Sequence, residues 1–373
     1  MSRFVGVLVM VLALYATVMA SSKNARSPAN QETIAQRLGF YGILTLGAGV
    51  LIVSGGIDLS IGSLVGLGAV CFCRLLLLFV PPWQAALLVI AGAAGIGLLH
   101  GVLVTKLRLQ PFLVTLCGLF IYRGLARWLS KQGSMGITLE VNDLVRFDPG
   151  LRDRLAEDPE LFQTMSSRLE ALTAQTAAMR KLLVGGSLGG VPNLFLLLLV
   201  VAGLLALFLH GTRYGRYLFA IGANEEAARY AGINTHRYKI LAYVLCSTLA
   251  GLASVLYMLD NRTTNPTSAG SLLELYAITG AVLGGCSLRG GEGSVPGMFL
   301  GAAALPLLRQ LCSFSGIGDD LEYVVIGGAL LVGTIIDELI KRPEMFRPLG
   351  RFLRRLWRPG ARGGGTDRHG AAP

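Results

Sequence analysis

The sequence predicts an all-α membrane protein with several membrane-spanning helices. Hydrophobic residues make up 53% of its 373 residues and charged residues only 15%, whereas soluble globular domains carry about 25% charged residues. The run 191–209 contains no charged residue and is close to the roughly 20 residues that cross a bilayer as a helix. We therefore expect a polytopic protein of about ten transmembrane helices.

Apolar segments separated by turns or polar loops account for most of the chain. The predicted spans are residues 4–20, 38–54, 61–80, 83–104, 112–129, 191–209, 240–259, 272–286, 295–312 and 321–340. The first span also fits a signal peptide, because Arg3 precedes an apolar core and residues 18–20 fit a cleavage site. Whether residues 1–20 are removed stays open, and either outcome leaves the orientation of the later spans unchanged.

The basic residues predict which ends of the spans face the cytoplasm. The segment 211–239 and the tail after Ile340 are rich in lysine and arginine, and ten spans place both on the same side. Because basic loops stay in the cytoplasm, we assign both to that side and place the loops 260–271 and 313–320 outside. The net charge of +11 then reflects orientation and contact with anionic membrane lipid, not the binding of nucleic acid.

This orientation divides the chain into four regions. Residues 1–129 form an N-terminal transmembrane half, and residues 191–340 form a C-terminal half that contains the cytoplasmic loop 211–239. Residues 341–373 form a basic cytoplasmic tail that we expect to be disordered. Between the two halves, residues 130–190 form an extracytoplasmic polar insert.

The insert is predicted to contain an amphipathic helix, because its apolar residues recur at helical spacing. These residues are Leu161, Met165, Leu169, Leu172, Met179 and Leu182. Three placements of the insert are open: it packs on the outer rim of the membrane domain, lies in the lipid interface, or contacts an external partner.

A short polar helix with both a start signal and a stop signal lies within the loop 211–239. Asn224 is a good N-cap because its side-chain oxygen can accept from first-turn N–H groups, and Glu225 follows at the positive end of the helix dipole. Glu225 can also pair with Arg229 four residues later. Gly232 supplies the left-handed residue that ends the helix. About seven helical residues are too few to be stable alone, so this helix must dock, and it suits receiving force from a soluble partner.

Two glycine-rich segments interrupt the spans and predict broken helices. Residues 54–63 lie between the second and third spans, and residues 284–294 lie between the eighth and ninth. Non-helical backbone at membrane depth persists only when it is buried in protein or faces a water-filled cavity, and paired interruptions point to a transport pathway. The pathway candidates are Gly56, Asp58, Ser60, Gly62, Gly284, Gly285, Gly290 and Gly291.

Asp58 permits two interpretations. A charge within an otherwise apolar region is a functional candidate by default. Alternatively, Asp58 or Ser60 only caps the helix that follows.

Glycines four residues apart predict close contacts between helices, because small residues let two backbones approach. The pairs are Gly62/Gly66, Gly97/Gly101, Gly280/Gly284 and Gly297/Gly301.

The residue types argue against several other functions. No HExxH motif and no metal-type cysteine spacing is present, so we predict no metal site and interpret the six cysteines as small buried hydrophobes. No GxxxxGK[ST] loop is present to bind ATP.

An ion-coupled secondary transporter is an alternative, with Asp58 and Glu274 as its acidic candidates. An intramembrane enzyme is disfavoured, because Asp319, Asp320 and Glu322 lack the spacing of a DDxxD metal site and His100 has no evident partner; we predict no catalytic residue.

Four segments together resemble the signature blocks of a known family. They read SGGIDLSIGSLVGL, LQPFLVTL, GTRYGRYLFAIGANEEAARYAGINTHRYKILAYVL and AVLGGCSLRGGEGSVPGMFLGA, and they occur in the family's order. Over about residues 38–130 and 190–340 the chain resembles the permease subunit of ribose/xylose/galactose-type ABC importers. Two features depart from the family pattern: the insert 130–190 is longer than usual, and Pro306 within the ninth span is not typical.

The resemblance implies that the short capped helix is the coupling helix, which in this family seats in a groove of the ATPase subunit. The residues to which it gives this role are Gly222, Asn224, Glu225, Ala228, Gly232 and Ile233.

The resemblance also implies the function, which is that of a transmembrane permease subunit of a binding-protein-dependent ABC importer in the bacterial plasma (inner) membrane. The solute is expected to be a monosaccharide, although the sequence does not name the sugar. The implied partners are an ATP-binding subunit, an extracytoplasmic sugar-binding protein, and a second permease subunit in a homodimer or heterodimer, all within membrane lipid. We expect no cofactor in this chain, because ATP is bound by the partner subunit.

Overall fold

The computed structural model describes residues 2–316 and the positions 321, 324, 325, 327, 328 and 331. In chain order its helices are α1 (Ser2–Ser21), a 3₁₀ turn (Asn24–Arg26), α2 (Pro28–Val53), α3 (Ile61–Leu77), α4 (Pro82–Thr105), α5 (Pro111–Leu129), α6 (Val141–Phe147), α7 (Leu151–Glu157), α8 (Pro159–Leu183), α9 (Asn193–Ala206), a π-helical turn (Leu207–Gly211), α10 (Arg213–Ala223), α11 (Glu225–Tyr230), α12 (Thr235–Asn261), α13 (Leu273–Leu283) and α14 (Val295–Phe314). Four two-residue strands form two small antiparallel pairs: β1 (Met135–Gly136) with β4 (Thr263–Thr264), and β2 (Ser187–Leu188) with β3 (Val191–Pro192).

The architecture confirms the predicted all-α membrane protein. Within the described residues, seven helices are long and apolar enough to cross a membrane, namely α1, α2, α4, α5, α9 with its π-helical turn, α12 and α14. Two further predicted spans, α3 and α13, are shorter apolar helices. The span predicted at 321–340 and the tail predicted at 341–373 lie outside the described residues. The count of about ten spans is therefore not confirmed.

Local signals explain where several of these helices begin. Proline stands at the start of α4 and α5, as Pro82 and Pro111, where its missing N–H is not needed. Side chains cap other helices: for example, Thr212 accepts from an amide of α10, Asn234 from one of α12, and Ser294 from one of α14.

The helices α2 and α12 form the centre of the bundle. Helix α2 packs against α9, α12, α13 and α14, and α12 packs also against α3 and α4. Most of α2 is buried, whereas the outer faces of α4, α5 and α9 expose large apolar side chains such as Phe120 and Leu204. An apolar exterior around a buried centre is what a lipid environment requires.

The glycine pairs lie where helix backbones touch. A Cβ added to Gly284 would overlap the Gly297 carbonyl, and one added to Gly301 would overlap the Gly280 carbonyl, so α13 and α14 meet along a glycine seam. Gly97 and Gly101 of α4 likewise face the backbone of α12 at Tyr243 and Ile240. These positions cannot carry larger side chains without separating the helices.

The polar insert packs against one end of the bundle. Its longest helix is α8, which contacts α4, α9 and α12, and Arg180 Nε donates to the Leu259 carbonyl at 2.9 Å. Strand β1 of the insert pairs with β4, which directly follows α12. The amphipathic helix predicted from the sequence is therefore present; Leu169, Leu172 and Met179 are buried, whereas Leu182 is exposed. Of the three placements left open by the sequence, these contacts match the one in which the insert packs on the rim of the membrane domain.

Candidate translocation and coupling site

The short helix α11 has the caps that its sequence predicts. Asn224 Oδ1 accepts from the Ala227 amide at 2.9 Å. At the other end Gly232 has φ +82°, and two hydrogen bonds close a Schellman motif: Gly232 N–H to the Arg229 carbonyl and Ile233 N–H to the Ala228 carbonyl. Six helical residues are thereby held without a long helix to support them.

The two faces of α11 differ in exposure. Ala228 is buried against the bundle, whereas Tyr230 is 88% exposed. Glu226 and Arg229 share the exposed side. Glu225 forms an ion pair with Lys239 of α12 instead of the predicted pair with Arg229, so its carboxylate ties α11 to a bundle helix.

The two glycine-rich segments meet each other beside α10. The Gly291 amide donates to the Val53 carbonyl at 2.9 Å, which joins segment 284–294 to the end of α2. Gly222, near the end of α10, lies against both, because a Cβ on it would overlap the Val53 carbonyl and the Gly291 amide. A Cβ on Gly290 would come within 2.9 Å of the Cα atoms of Gly222 and Gly55. We call this contact of Val53, Gly55, Gly222, Gly290 and Gly291 the glycine junction.

Backbone conformation explains why glycine occupies this junction. Gly55, Gly290 and Gly291 have φ of +81°, +88° and +75°, in the left-handed region that other residues avoid. The junction therefore depends on glycine for both close approach and backbone geometry. It places α10, the element directly before the capped helix, on the two broken segments.

Asp58 lies in the first broken segment and is 1% exposed. Its Oδ1 accepts from the Ser60 amide at 2.7 Å and from the Ser60 hydroxyl at 2.6 Å, just before α3 begins. This turn orders the entry to α3, and the carboxylate lies at the positive end of that helix. The predicted capping interaction is not made: the Asp58 carboxylate accepts from Ser60 alone, and neither the Asp58 nor the Ser60 side chain accepts from an amide of the first turn of α3.

The second oxygen of Asp58 faces a polar cluster contributed by three other helices. His100 Nδ1 of α4 lies 3.7 Å from Asp58 Oδ2, and His100 Nε2 shares a hydrogen bond of 2.7 Å with the Tyr122 hydroxyl of α5. The ring of Tyr243 of α12 lies edge-on to His100, with centroids 6.3 Å apart. His100 therefore has partners that the sequence does not reveal.

Three polar atoms in this cluster are buried without a hydrogen-bond partner: Asp58 Oδ2, His100 Nδ1 and the Tyr243 hydroxyl oxygen. Gly56 contributes to the same region, because a Cβ on it would lie 3.3 Å from the Tyr243 hydroxyl. Buried polar atoms without partners are costly, so this arrangement is typical of a site that serves function.

A second carboxylate, that of Glu274, lies against the first turn of α3. A Cβ on Gly62 in the first turn of α3 would overlap Glu274 Oε2 and the Gly270 carbonyl. Glu274 is 7% exposed and lies in the first turn of α13. Ala269 and Gly270 are buried, so the segment before α13 enters the bundle beside α3. Residues 260–271 were predicted to form an outer loop. In the structure, Ala269 and Gly270 near the end of that loop lie against the start of α3.

The remaining predicted pathway residues are distributed along the same segments. Gly284 lies in the seam between α13 and α14, and Gly285 follows with φ +90° and open space around it. Gly284 and Gly285 do not touch the Asp58 cluster in the contacts described. Within the described residues, no group of three or more His, Cys, Asp or Glu side chains could hold a metal ion.

A bundle of membrane-length helices with paired broken segments and a capped surface helix has the architecture of a transport permease. The family described as "Branched-chain amino acid transport system / permease component" matches residues 30–334. The chain belongs to this permease family.

Relatives support the same conclusion. The chain is 31% identical over 330 residues to the ribose import permease protein of Escherichia coli strain K12, covering 88% of this chain and 92% of the relative. It is 29% identical over 298 residues to the fructose import permease protein of Bifidobacterium longum, covering 80% and 79%. It is 30% identical over 278 residues to an inner membrane ABC transporter permease protein of E. coli, covering 74% and 73%. No solved structure matches the chain significantly.

These relationships confirm the resemblance to sugar-type ABC importer permeases and favour that function over an ion-coupled secondary transporter. They also assign the chain to the bacterial inner membrane as a multi-pass protein. Importers of this class work with an ATPase subunit and a solute-binding protein.

Proposed function

We propose that this chain is the permease of a monosaccharide importer in which ATP-driven force enters through α11 and reaches the pathway through the glycine junction. The close contact of Gly222 with Val53 and Gly291 carries this proposal. In this mechanism the chain performs no covalent chemistry. It opens and closes a path for a solute that a binding protein delivers.

The exposed side of α11 is the docking face for the ATPase subunit. Tyr230 supplies a large aromatic surface of the kind that anchors protein interfaces, and Glu226 and Arg229 surround it with charge. The buried Ala228 and the Glu225–Lys239 ion pair hold this face against the bundle. A push on α11 is therefore transmitted to the bundle and not absorbed by a loose loop.

The glycine junction carries the displacement onward. Helix α10 leads directly into α11 through the Asn224 cap, and Gly222 lies two residues before Asn224. Because Gly222 contacts main-chain atoms, no side chain can rotate away to absorb a movement. Displacement of α10 therefore moves the ends of both broken segments together.

The broken segments lead to the Asp58 cluster. Gly56 and Ile57 connect the glycine junction to Asp58, where polar groups from α4, α5 and α12 converge. In this proposal the cluster is the closed gate of the path, and its unpartnered polar atoms gain partners when the path opens. We also propose that two permease subunits form the path, as a homodimer or heterodimer, so that two α11 helices receive the closure of two ATPase subunits.

Uptake by the reconstituted complex tests this function. The permease would be co-purified with its ATPase subunit and its binding protein, then placed in liposomes with ATP inside. We expect accumulation of radiolabelled D-ribose or D-fructose with ATP, and none with a non-hydrolysable ATP analogue or with a binding protein omitted. Uptake driven by a proton or sodium gradient without ATP would contradict the proposal.

A further inference from the structure

A polar cavity of about 370 Å³ lies at the end of the bundle that carries the insert. It is lined from α2, α12, α14 and the first residue of α13. The insert contacts this end of α12 through the Leu259 carbonyl, one residue before the cavity residue Asp260. In the predicted orientation this is the outer end, where an external binding protein would deliver solute.

The size of the cavity suits a small solute. Ligand pockets typically measure about 300–1,000 Å³, and this one lies near the lower limit. Unlike an apolar cavity, it exposes charged and amide side chains to its interior, among them Arg37, Asp260 and Gln36. Gln36 Nε2 donates to Asp260 Oδ1 at 2.9 Å, which orders the carboxylate at the wall.

Aromatic side chains form the other part of the wall. The rings of Phe40 and Tyr257 lie with centroids 6.0 Å apart, on α2 and α12. Arg309 of α14 lies over the rings of Tyr41 and Tyr276, at 5.5 and 5.0 Å from their centroids, and hydrogen bonds to both hydroxyls. The guanidinium is thereby held in one place at the cavity, with its charge partly balanced by the tyrosine faces.

This combination matches the chemistry of a monosaccharide. The C–H faces of a sugar ring pack on aromatic rings, while carboxylate, guanidinium and amide groups satisfy its hydroxyls as acceptors and donors. Charges of both signs line the cavity, as Asp260 and the two arginines Arg37 and Arg309. A neutral polyol can use both signs, whereas an anion or a cation would face a like charge.

We infer that this cavity is an outer sugar-binding site at which the permease accepts a monosaccharide before translocation. The inference rests on the proposed function and adds the site and its ligand class. Leu273 lines the cavity and directly precedes Glu274, so the floor of the site is the start of α13. A sugar here contacts the helix whose other end lies at the seam with α14.

Protection of a thiol tests the site directly. In a variant whose six native cysteines are replaced by alanine, Thr33→Cys places a thiol on the exposed cavity rim, and Ser167→Cys places one on α8 away from it. The complete importer complex would be reacted with maleimide in the presence of D-ribose or D-fructose. We expect Thr33→Cys labelling to slow about tenfold at a sugar concentration about ten times Kd. Labelling of Ser167→Cys should not change, and neither should labelling in glycine betaine at equal osmolarity.

A substitution within the cavity gives the second arm. Asp260→Asn keeps the oxygen that accepts from Gln36 but removes the charge, and we expect it to abolish sugar protection of the Thr33→Cys thiol. The matched substitution Asp153→Asn on the exposed insert helix α7 should leave protection intact. Tyr257→Phe should retain protection that Tyr257→Leu loses, because only the former keeps an aromatic wall.

The outcomes separate this inference from the proposed function. A complex that imports either sugar but shows no protection at Thr33→Cys overturns the outer site and leaves the importer function standing. A complex that imports neither sugar contradicts the proposed function, and protection in that complex would still support the cavity as a sugar site. Unchanged protection in Asp260→Asn would overturn the assignment of the carboxylate.

Discussion

The main-chain amide of Gly291 donates a 2.9 Å hydrogen bond to the carbonyl of Val53, across 238 positions of sequence. Val53 ends α2, and Gly291 lies in the segment between α13 and α14. The bond therefore fastens the two broken segments to each other, and Gly222 lies against it. Because Gly222 lies against main-chain atoms of both residues, any side chain at position 222 would overlap them.

Gly222→Ala is the most direct test of the glycine junction. The new methyl group would overlap the Val53 carbonyl and the Gly291 amide, and overpacking of this kind costs about 1–3 kcal/mol. We expect ATP-dependent uptake per folded molecule to fall sharply and the Tm of the purified complex to drop.

Gly203→Ala is the matched control for that substitution. Gly203 lies inside α9 with no atom near its missing Cβ, so alanine there should be neutral or stabilise by up to about 1 kcal/mol. Normal uptake in Gly222→Ala, at normal protein level, would show that the junction does not carry force.

Gly232→Val tests the end of the coupling helix. Gly232 has open space around it, so the penalty comes from its φ of +82° and not from a clash. A β-branched residue should cost about 1 kcal/mol or more at this position. We expect transport and ATPase coupling to fall while membrane insertion stays normal.

The conservative variant Gly232→Asn separates backbone conformation from other effects. Asparagine enters the left-handed region more readily than valine, so it should restore most of the uptake. Wild-type transport in Gly232→Val would remove the assignment of α11 as the coupling helix.

Substitutions of Asp58 distinguish a structural role in the turn before α3 from a charge used in transport. Asp58→Asn retains an oxygen for both bonds from Ser60 and replaces the buried charge beside His100 by an amide. We expect Asp58→Asn to keep most activity, whereas Asp58→Ala leaves the buried Ser60 amide and hydroxyl without their acceptor and should lower stability by about 1–3 kcal/mol, with transport lost in proportion to protein level. Uptake per folded molecule is the measurement; a well-folded but inactive Asn variant would show that the negative charge itself is required.

Thiol labelling tests the sidedness of the chain. In the cysteine-free background, Arg237→Cys lies in an exposed position in the first turn of α12, and Ser167→Cys lies on the insert. Impermeant maleimide should label Ser167→Cys on intact spheroplasts and Arg237→Cys only after the cytoplasmic face is opened. The reverse pattern would invert the predicted topology.

Features encoded by neighbouring residues were predictable from the sequence. The Asn224 cap and the Gly232 stop are both present, because each depends on residues within one helical turn. The glycine pairs were also predicted as close contacts, and Gly284 and Gly301 take part in one such seam. Such signals act locally, so they can be read without knowing which helices are neighbours.

Features that depend on tertiary pairing were not predictable in the same way. His100, Tyr122 and Tyr243 lie on three different helices, and their sequence spacing carries no sign that they meet at Asp58. Glu225 pairs with Lys239 because the turn after α11 brings α12 back beside it, which overrides the local option of Arg229. The exposed Tyr230 was missed because an aromatic residue in a short helix signals burial as readily as exposure.

The seam between α13 and α14 has a mechanical consequence. Two helices whose carbonyls touch the partner's glycines cannot slide or bend separately, so the pair must move as one lever. Helix α13 has 11 residues and is about 16 Å long at 1.5 Å per residue. A tilt imposed beside Gly284 is delivered at Leu273 and Glu274, at the other end of α13. Gly285, with open space around it and a left-handed backbone, is where we expect this lever to pivot.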